Sequence, residues 1–517
     1  MIKVRLLLLV FLCIPVQANA LEYFEHMGWM KPNDKLETLI QYPELVERIY
    51  RKNDAQLIWF DLQQSSKLEF QLEVIQRAGF SPMFSKRLNH LQFYRKSNRW
   101  FEYDLLATDT LIAYLSYAEQ ASAIGTHWFF ESKLKGGLPQ PSQTSMTALY
   151  AAVETQQMRE LVESYTPDSD GYEQLVNTYL HLQKYHKLDL PLYHQKGLKR
   201  AGDILEDREA LLARLEVVDI DLSKTPQHTS WYDNELEKAV KRFQSIHGLT
   251  ADGIIGPSTL KWLNMPPESR LSTLALNAER LRLWPMQRDA LIMVNVPSFE
   301  MKYWYLGEEV FESKVVVGRT SRQTPVMTTN LDSLILNPTW NVPRKIMVED
   351  ILPKVKKDSE YLAKHNYQII PKWNSYDSID PQEIDWSTLE PRNFPYKMRQ
   401  MSGNYNALGL YKFNTPNARA IYLHDTPSKY LFNNSRRAFS SGCIRVEHAD
   451  QFASRLLQSQ GLDPHRLSQS EGAPNKAIPL KRRIPVHIIY QTAWFEEGVV
   501  HYRDDIYRFD KFSYTKG

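Results

Sequence analysis

Ile421-Tyr422-Leu423-His424-Asp425-Thr426 and Ser440-Ser441-Gly442-Cys443-Ile444-Arg445-Val446 are the two runs on which the reading of this chain turns. The first alternates β-branched, aromatic and apolar residues up to a histidine, the pattern of a strand that ends at His424. The second is a Ser/Gly turn that delivers a cysteine directly into a short apolar run. Nineteen positions separate His424 from Cys443, enough chain for a loop that brings both side chains together. The residue types suit attack on an amide carbonyl. A free cysteine titrates near pH ~8.5 and is only slightly ionised at neutrality. A neighbouring imidazole takes its proton or pairs with the thiolate. Gly442 lets backbone N–H groups approach a developing oxyanion. Arg445 adds positive charge, which favours a thiolate or grips a substrate carboxylate. Spacing alone does not single out this pair, since any cysteine and histidine can fall this far apart.

Working outward, short β-branched or aromatic runs at 291–296, 301–305, 310–317, 334–336, 420–423 and 486–490 predict a mainly β domain over about 288–490. Between 345 and 400 Pro, Lys, Asp and Trp break the pattern. One helix fits 348–357, kinked or ended by Pro353. This stretch is read as an insertion over the β domain, either a functional lid or a passive excursion. Residues 491–517 follow as a C-terminal tail.

Upstream, residues 230–266 predict two helices around a Gly-rich loop. Leu236, Val240 and Phe243 share one helical face, and Gly248 ends that helix as a C-cap. Asp252-Gly253 marks a turn, and Pro257 starts a second helix that turns Leu260 and Leu263 inward. Residues 21–200 read as a mostly helical scaffold. Its elements include a short helix from Pro43 with Leu45, Val46 and Ile49 on one face, and a longer one over 104–123 with Leu105, Ile112, Leu115 and Ala118 at helical spacing. No catalytic constellation stands out there.

The 517 residues carry 63 Lys plus Arg against 60 Asp plus Glu, without the basic bias of a nucleic-acid protein. Lys3 and Arg5, the apolar run 6–16 and Ala18-Asn19-Ala20 form a secretory signal, cleaved after Ala20 or kept as an anchor. Membrane contact is expected only through that segment if it stays uncleaved. Of two cysteines, Cys13 leaves with the signal, so the mature chain has one thiol and no internal disulfide. A lone thiol in an oxidising compartment is more easily retained if it has a task. No His/Cys/Asp set has metal-ligand spacing, and one cysteine excludes a cysteine-rich zinc site.

The 230–266 segment resembles the peptidoglycan-binding domain of many wall enzymes through 240–244, Gly248-Leu249, Asp252-Gly253-Ile254-Ile255-Gly256 and Thr259. The 440–445 run resembles the signature of the L,D-transpeptidase catalytic domain, in which a His precedes a Ser/Thr-x-Gly-Cys motif at a similar distance. The resemblance implies Cys443 as nucleophile, His424 as general base and Gly442 as shaper of the oxyanion hole. Many members carry His and Asn where this chain has Ser441 and Arg445. That departure matches a larger subgroup with a scaffold region, a wall-binding domain and a lid. Ser441, Arg445 and Tyr422 are the candidate substrate-binding residues. Tyr422 is open to a second reading as a core strand aromatic. His448 reads as a solvated first-turn residue. Arg436 and Arg437 read as surface charge, with a grip on the stem peptide as the alternative. Asp425, Asp450 or a backbone carbonyl would orient the imidazole.

The expected fold is therefore multidomain α+β, with a helical scaffold region, a small helical peptidoglycan-binding domain and a mainly β catalytic domain with a lid insertion. The resemblance implies an exported, periplasmic transferase acting on peptidoglycan stem peptides and glycan. It implies no cofactor or metal, sensitivity to carbapenems, and room for wall-synthesis protein partners. A stem-trimming hydrolase on the same pair and a non-catalytic wall-binding protein are the rival readings.

Overall fold

The computed structural model describes residues 36–510, apart from 37, 60, 187, 376 and 469–472. The expected signal segment, Cys13 and the last seven residues lie outside the described residues. The chain divides into two units after Asp168.

The first unit is helical. It comprises α1 (Pro43–Lys52), α2 (Leu62–Ala78), α3 (Pro82–Lys96), α4 (Trp100–Thr126), α5 (Gln143–Thr155) and α6 (Met158–Ser164). Leu45, Val46 and Ile49 share the buried face of α1, as their spacing predicts. The face expected on the long helix is too narrow. From Tyr103 to Tyr117 α4 is buried all round, so it is the unit's central helix, whereas Ala118 is only half-buried. Two buried carboxylates make this possible, because their acceptors are used by backbone of neighbouring segments. Asp104 accepts from the Trp59 N–H at 2.7 Å and the Ile58 N–H at 3.0 Å. Asp109 accepts from the Tyr42 N–H at 2.7 Å and is ion-paired with Arg87.

The second unit begins with α7 (Asp170–Gln183) and continues through α8 (Arg208–Glu216), α9 (Asn234–Ile246), α10 (Pro257–Leu263) and α11 (Pro267–Arg280). Leu236, Val240 and Phe243 are wholly buried on α9. Gly248 follows the α9 C-cap at φ +66°, the left-handed geometry a glycine adopts freely. The Gln244 carboxamide staples the Gly-rich loop to α9, donating to Ile254 O at 2.9 Å and accepting from Gly253 N–H at 2.8 Å. On α10 Leu263 is buried, but Leu260 is only half-buried and Trp262 fills the interior in its place.

Nine strands build the main sheet among the described residues, in the order β10-β3-β11-β9-β8-β4-β12-β1-β2. They are β1 (Ala290–Asn295), β2 (Glu300–Tyr305), β3 (Glu308–Gly318), β4 (Met327–Leu336), β8 (Tyr411–Asn414), β9 (Leu423–His424), β10 (Ala438–Ser440), β11 (Ile444–Val446) and β12 (Lys476–Ile489). β3 pairs with β2 along its first half and with β11 along its second, so the ring of strands closes through it. The helix α12 (Ala449–Ser459) plugs the core with Phe452, whose ring lies 4.4 Å from that of Phe413 and 5.2 Å from that of Phe311.

The 345–400 stretch has its own core, with Met347, Leu362, Ile369 and Met398 wholly buried. A small sheet of β5 (Trp340–Asn341), β7 (Lys397–Gln400) and β6 (Tyr367–Ile370) backs it. The expected helix around Pro353 is split. Met347–Ile351 is a π turn and Leu352–Val355 a short α turn with Pro353 in its first turn. A proline ring clashes with the carbonyl four residues back, and widening the preceding turn removes the clash. The segment expected as a C-terminal tail carries a hairpin, β13 (Ala493–Glu496) and β14 (Val499–Tyr502). Its Tyr507 is buried, donating to Gly318 O at 2.6 Å. No helix among the described residues is long and apolar enough to cross a membrane.

Candidate active site

β9 pairs in parallel with β11, Leu423 opposite Ile444 and His424 opposite Arg445. The Ile444 N–H donates to Tyr422 O at 3.1 Å, which extends the ladder one residue back and sets Cys443 beside Tyr422. On its other side β9 is antiparallel to β8, with Lys412 opposite His424. Side chains alternate faces along a strand. Leu423, Phe413, Ile444 and Val446 therefore turn into the core, where each is at most 1% exposed. Tyr422, His424, Cys443, Arg445 and Lys412 turn to the opposite face and meet there. The Tyr422 and His424 rings lie 5.7 Å apart, and Lys412 Nζ stands 4.5 Å over the Tyr422 ring.

The thiol is half-buried, its Sγ 3.6 Å from Ala420 O. Burial pushes the Cys443 thiol above its ordinary range, opposed by hydrogen bonds from the Tyr422 backbone and hydroxyl and by the charges of Lys412 and Arg445. Burial also drives the His424 imidazole down to about 3, helped by Arg445 and Lys412. Both partners are therefore neutral at pH 7. His424 Nδ1 donates to the Asp425 carbonyl at 2.5 Å, which leaves Nε2 with its lone pair as a proton acceptor. The Asp425 carboxylate is not the orienting group; it accepts from Leu410 N–H at 2.9 Å and is paired with Lys429. Thiol and imidazole are thus both uncharged at rest, without a preformed ion pair. A titration of the full chain at 240 nm is expected to show thiolate absorbance rising only above pH 9. An inflection below pH 7 would contradict the neutral pair.

Gly442 has φ +118°, a region side chains rarely adopt, and this is what aims the turn. Its N–H is donated to Ser440 Oγ at 3.1 Å and its carbonyl accepts from Thr324 Oγ1 at 2.7 Å. Ser440 Oγ donates to Cys443 O at 2.5 Å. Ser441 is exposed and accepts from Arg322 at 2.9 Å. Arg322 is held in turn by Glu349 at 2.6 Å and by Asp350, both on the π turn of the insertion.

His448 is exposed at the start of α12, as expected, in a left-handed conformation at φ +51°. Arg436 is exposed, but Arg437 is not surface charge. It is buried and donates to the carbonyls of Phe299 at 3.0 Å and Asn434 at 2.9 Å, a structural tie that keeps it off any stem peptide. Lys412, Thr324 and Arg322 were not singled out from the sequence. Lys412 left a faint signal, a cation inside an alternating strand. The others act across long sequence separations and leave none. No cluster of His, Cys, Asp and Glu among the described residues fits a metal ion.

Residues 289–484 match the family described as L,D-transpeptidase catalytic domain, 44–178 the scaffold domain, and 206–263 the "Putative peptidoglycan binding domain". A Haemophilus influenzae protein described as "Putative L,D-transpeptidase" is 30% identical over 473 residues, 91% of this chain and 79% of that one. The chain belongs to the L,D-transpeptidase family. Solved L,D-transpeptidases overlap it only loosely. One from Mycobacterium smegmatis is 11% identical over 39% of this chain and 58% of its own, with a TM-score of 0.19. One from Stackebrandtia nassauensis is 13% identical over 58% and 95%, with a TM-score of 0.21. Neither overlap is close enough to carry an argument. The L,D-transpeptidase assignment rests on the family match and the long relative, and with the wall-binding domain it makes peptidoglycan the substrate.

Proposed function

We propose that the chain is a periplasmic L,D-transpeptidase in which Cys443 is the nucleophile and His424 the general base. What supports the reading is the neutral thiol and the neutral, pre-oriented imidazole on one face of the β9–β11 ladder. As Sγ attacks the carbonyl of the third residue in a donor tetrapeptide stem, His424 Nε2 takes the thiol proton. The tetrahedral intermediate collapses, the bond to the terminal D-Ala breaks, and His424 returns the proton to its amine. A thioester remains on Cys443. The side-chain amine of a diamino acid in another stem attacks it, passes its proton through His424, and the thiol is restored. Tyr422, which donates to the thiol, and the charges of Arg445 and Lys412 stabilise sulfur as it gains negative charge. Gly442 contributes its φ, and Ser441 is the exposed lip that Arg322 holds.

On this reading residues 21–200 are scaffold, 230–266 dock on wall polymer, 288–490 carry the chemistry and 345–400 form a lid over the site. Glu349 and Asp350 join that lid to the cysteine turn. Segment 1–20 directs export, and acylation of the thiol by carbapenems follows from the same chemistry.

The test is mass spectrometry of purified tetrapeptide muropeptides incubated with the full chain and with Cys443→Ala. A cross-linked dimer lacking one D-Ala, absent with the variant, is the expected product. Trimmed monomer alone would make the protein a stem hydrolase, and unchanged substrate with both would remove the catalytic reading.

A further inference from the structure

A cavity of about 450 Å³ lies on the outward face of β1 and β2 and shares no residue with the Cys443 site. Cross-strand register builds its floor, pairing Asn295 with Glu300 and Met293 with Lys302. The loop after α11 supplies Trp284, and the chain after β12 supplies Gln491 and Trp494.

Gln491 is the informative residue. Its main chain is fixed on both sides by one partner, since its N–H donates to Asn295 Oδ1 at 2.9 Å and its carbonyl accepts from Asn295 Nδ2 at 3.1 Å. Gln491 is 2% exposed and is among the residues lining the cavity, and neither its carboxamide nitrogen nor its oxygen has a partner among the described residues. Trp284, 7% exposed, lines the same cavity with its indole N–H also unpartnered. Buried polar atoms left unpaired are costly, and several at one rigid point mark a place prepared for a ligand. The group that answers a carboxamide and an extra N–H is another amide, taken donor to acceptor. Lys302 is already neutralised by Glu496 at 2.5 Å and Glu309 at 3.2 Å, and Arg288 is laid over the Trp304 ring at 4.6 Å. The floor thus leaves the Glu300 carboxyl for hydroxyls, beside the Trp284 indole.

The geometry points to a saccharide subsite that takes an N-acetylated amino sugar of a glycan strand, its acetamido group paired with Gln491 and the Trp284 N–H. The choice of glycan rests on the peptidoglycan reading. The site is separate from both the small helical domain and the cysteine. It would hold a strand while its stem is processed.

The experiment is calorimetric titration of the full chain with chitotetraose, and with cellotetraose, which has the same rings without acetamido groups. Chitotetraose is expected to bind at least tenfold tighter than cellotetraose. Gln491→Leu, which keeps the volume and removes the amide, and Trp284→Phe, which keeps a ring and removes the N–H, are each expected to weaken chitotetraose about tenfold. Unchanged thermal unfolding would show that the variants fold. Equal affinity for the two sugars, or variants that bind chitotetraose like the parent, would overturn the subsite. A parent chain that forms the Cys443 thioester with a tetrapeptide stem yet ignores both sugars would overturn the subsite alone. One that binds chitotetraose through Gln491 without forming a thioester would overturn the catalytic reading alone.

Discussion

His424→Gln is expected to lower the rate of Cys443 acylation by a tetrapeptide stem about 10³-fold at pH 7, read as the mass-resolved thioester over time. The magnitude follows from the state of the pair. Burial holds the thiol protonated, and the imidazole, held near 3, stays available as a base across the working range. Without that base only the small thiolate fraction reacts. The parent rate is therefore expected to be flat from pH 5 to pH 8. The variant rate should instead climb roughly tenfold per pH unit toward the thiol's raised value. A loss below tenfold, or a variant profile as flat as the parent's, would remove His424 from proton transfer. Stability supplies an independent sign. The folded imidazole sits below its unfolded value of 6.5, so its contribution is full above 6.5 and is lost as pH falls toward 3. The variant should lose less stability than the parent between pH 6.5 and pH 4.

Gly318→Ala is the second large effect. An added Cβ there would stand 2.2 Å from Arg322 O and 2.7 Å from Thr324 N. Both are main-chain atoms of a tight turn that cannot swing aside, so overpacking on the order of 3 kcal/mol is expected in thermal or denaturant unfolding. The damage should reach the site. Gly318 N–H donates to Thr324 Oγ1 at 2.8 Å, and the same hydroxyl donates to Gly442 O at 2.7 Å. The variant should also acylate at least tenfold more slowly at temperatures where it is still folded. Wild-type stability in Gly318→Ala would mean the turn relaxes without cost.

What the sequence disclosed followed from local pattern. The period of two that ends at His424 and the Ser/Gly turn before Cys443 are short-range features, and the α9 face and its Gly248 terminus are equally local. The single thiol directed attention to Cys443. What stayed hidden depends on tertiary pairing. Lys412 reaches the site because β8 is antiparallel to β9, and Arg322 because the insertion returns Asp350 beside it. Arg437 read as surface because two adjacent arginines carry no sign that one will be buried against four carbonyls. The all-round burial of α4 was missed because Asp104 and Asp109 look like a solvated face until their backbone donors are seen.

The parallel ladder between β9 and β11 also separates two quantities that a motif spacing runs together. Main-chain hydrogen bonds register the two strands that carry imidazole and thiol, and most of the residues strung between them set how the chain travels from one strand to the next. Of the eighteen residues between them, Asp425 at one end and Ser440 and Gly442 at the other hold the alignment, and the stretch in the middle is a route. The middle of that route is therefore where length and side chains can change without shifting the register of the two strands.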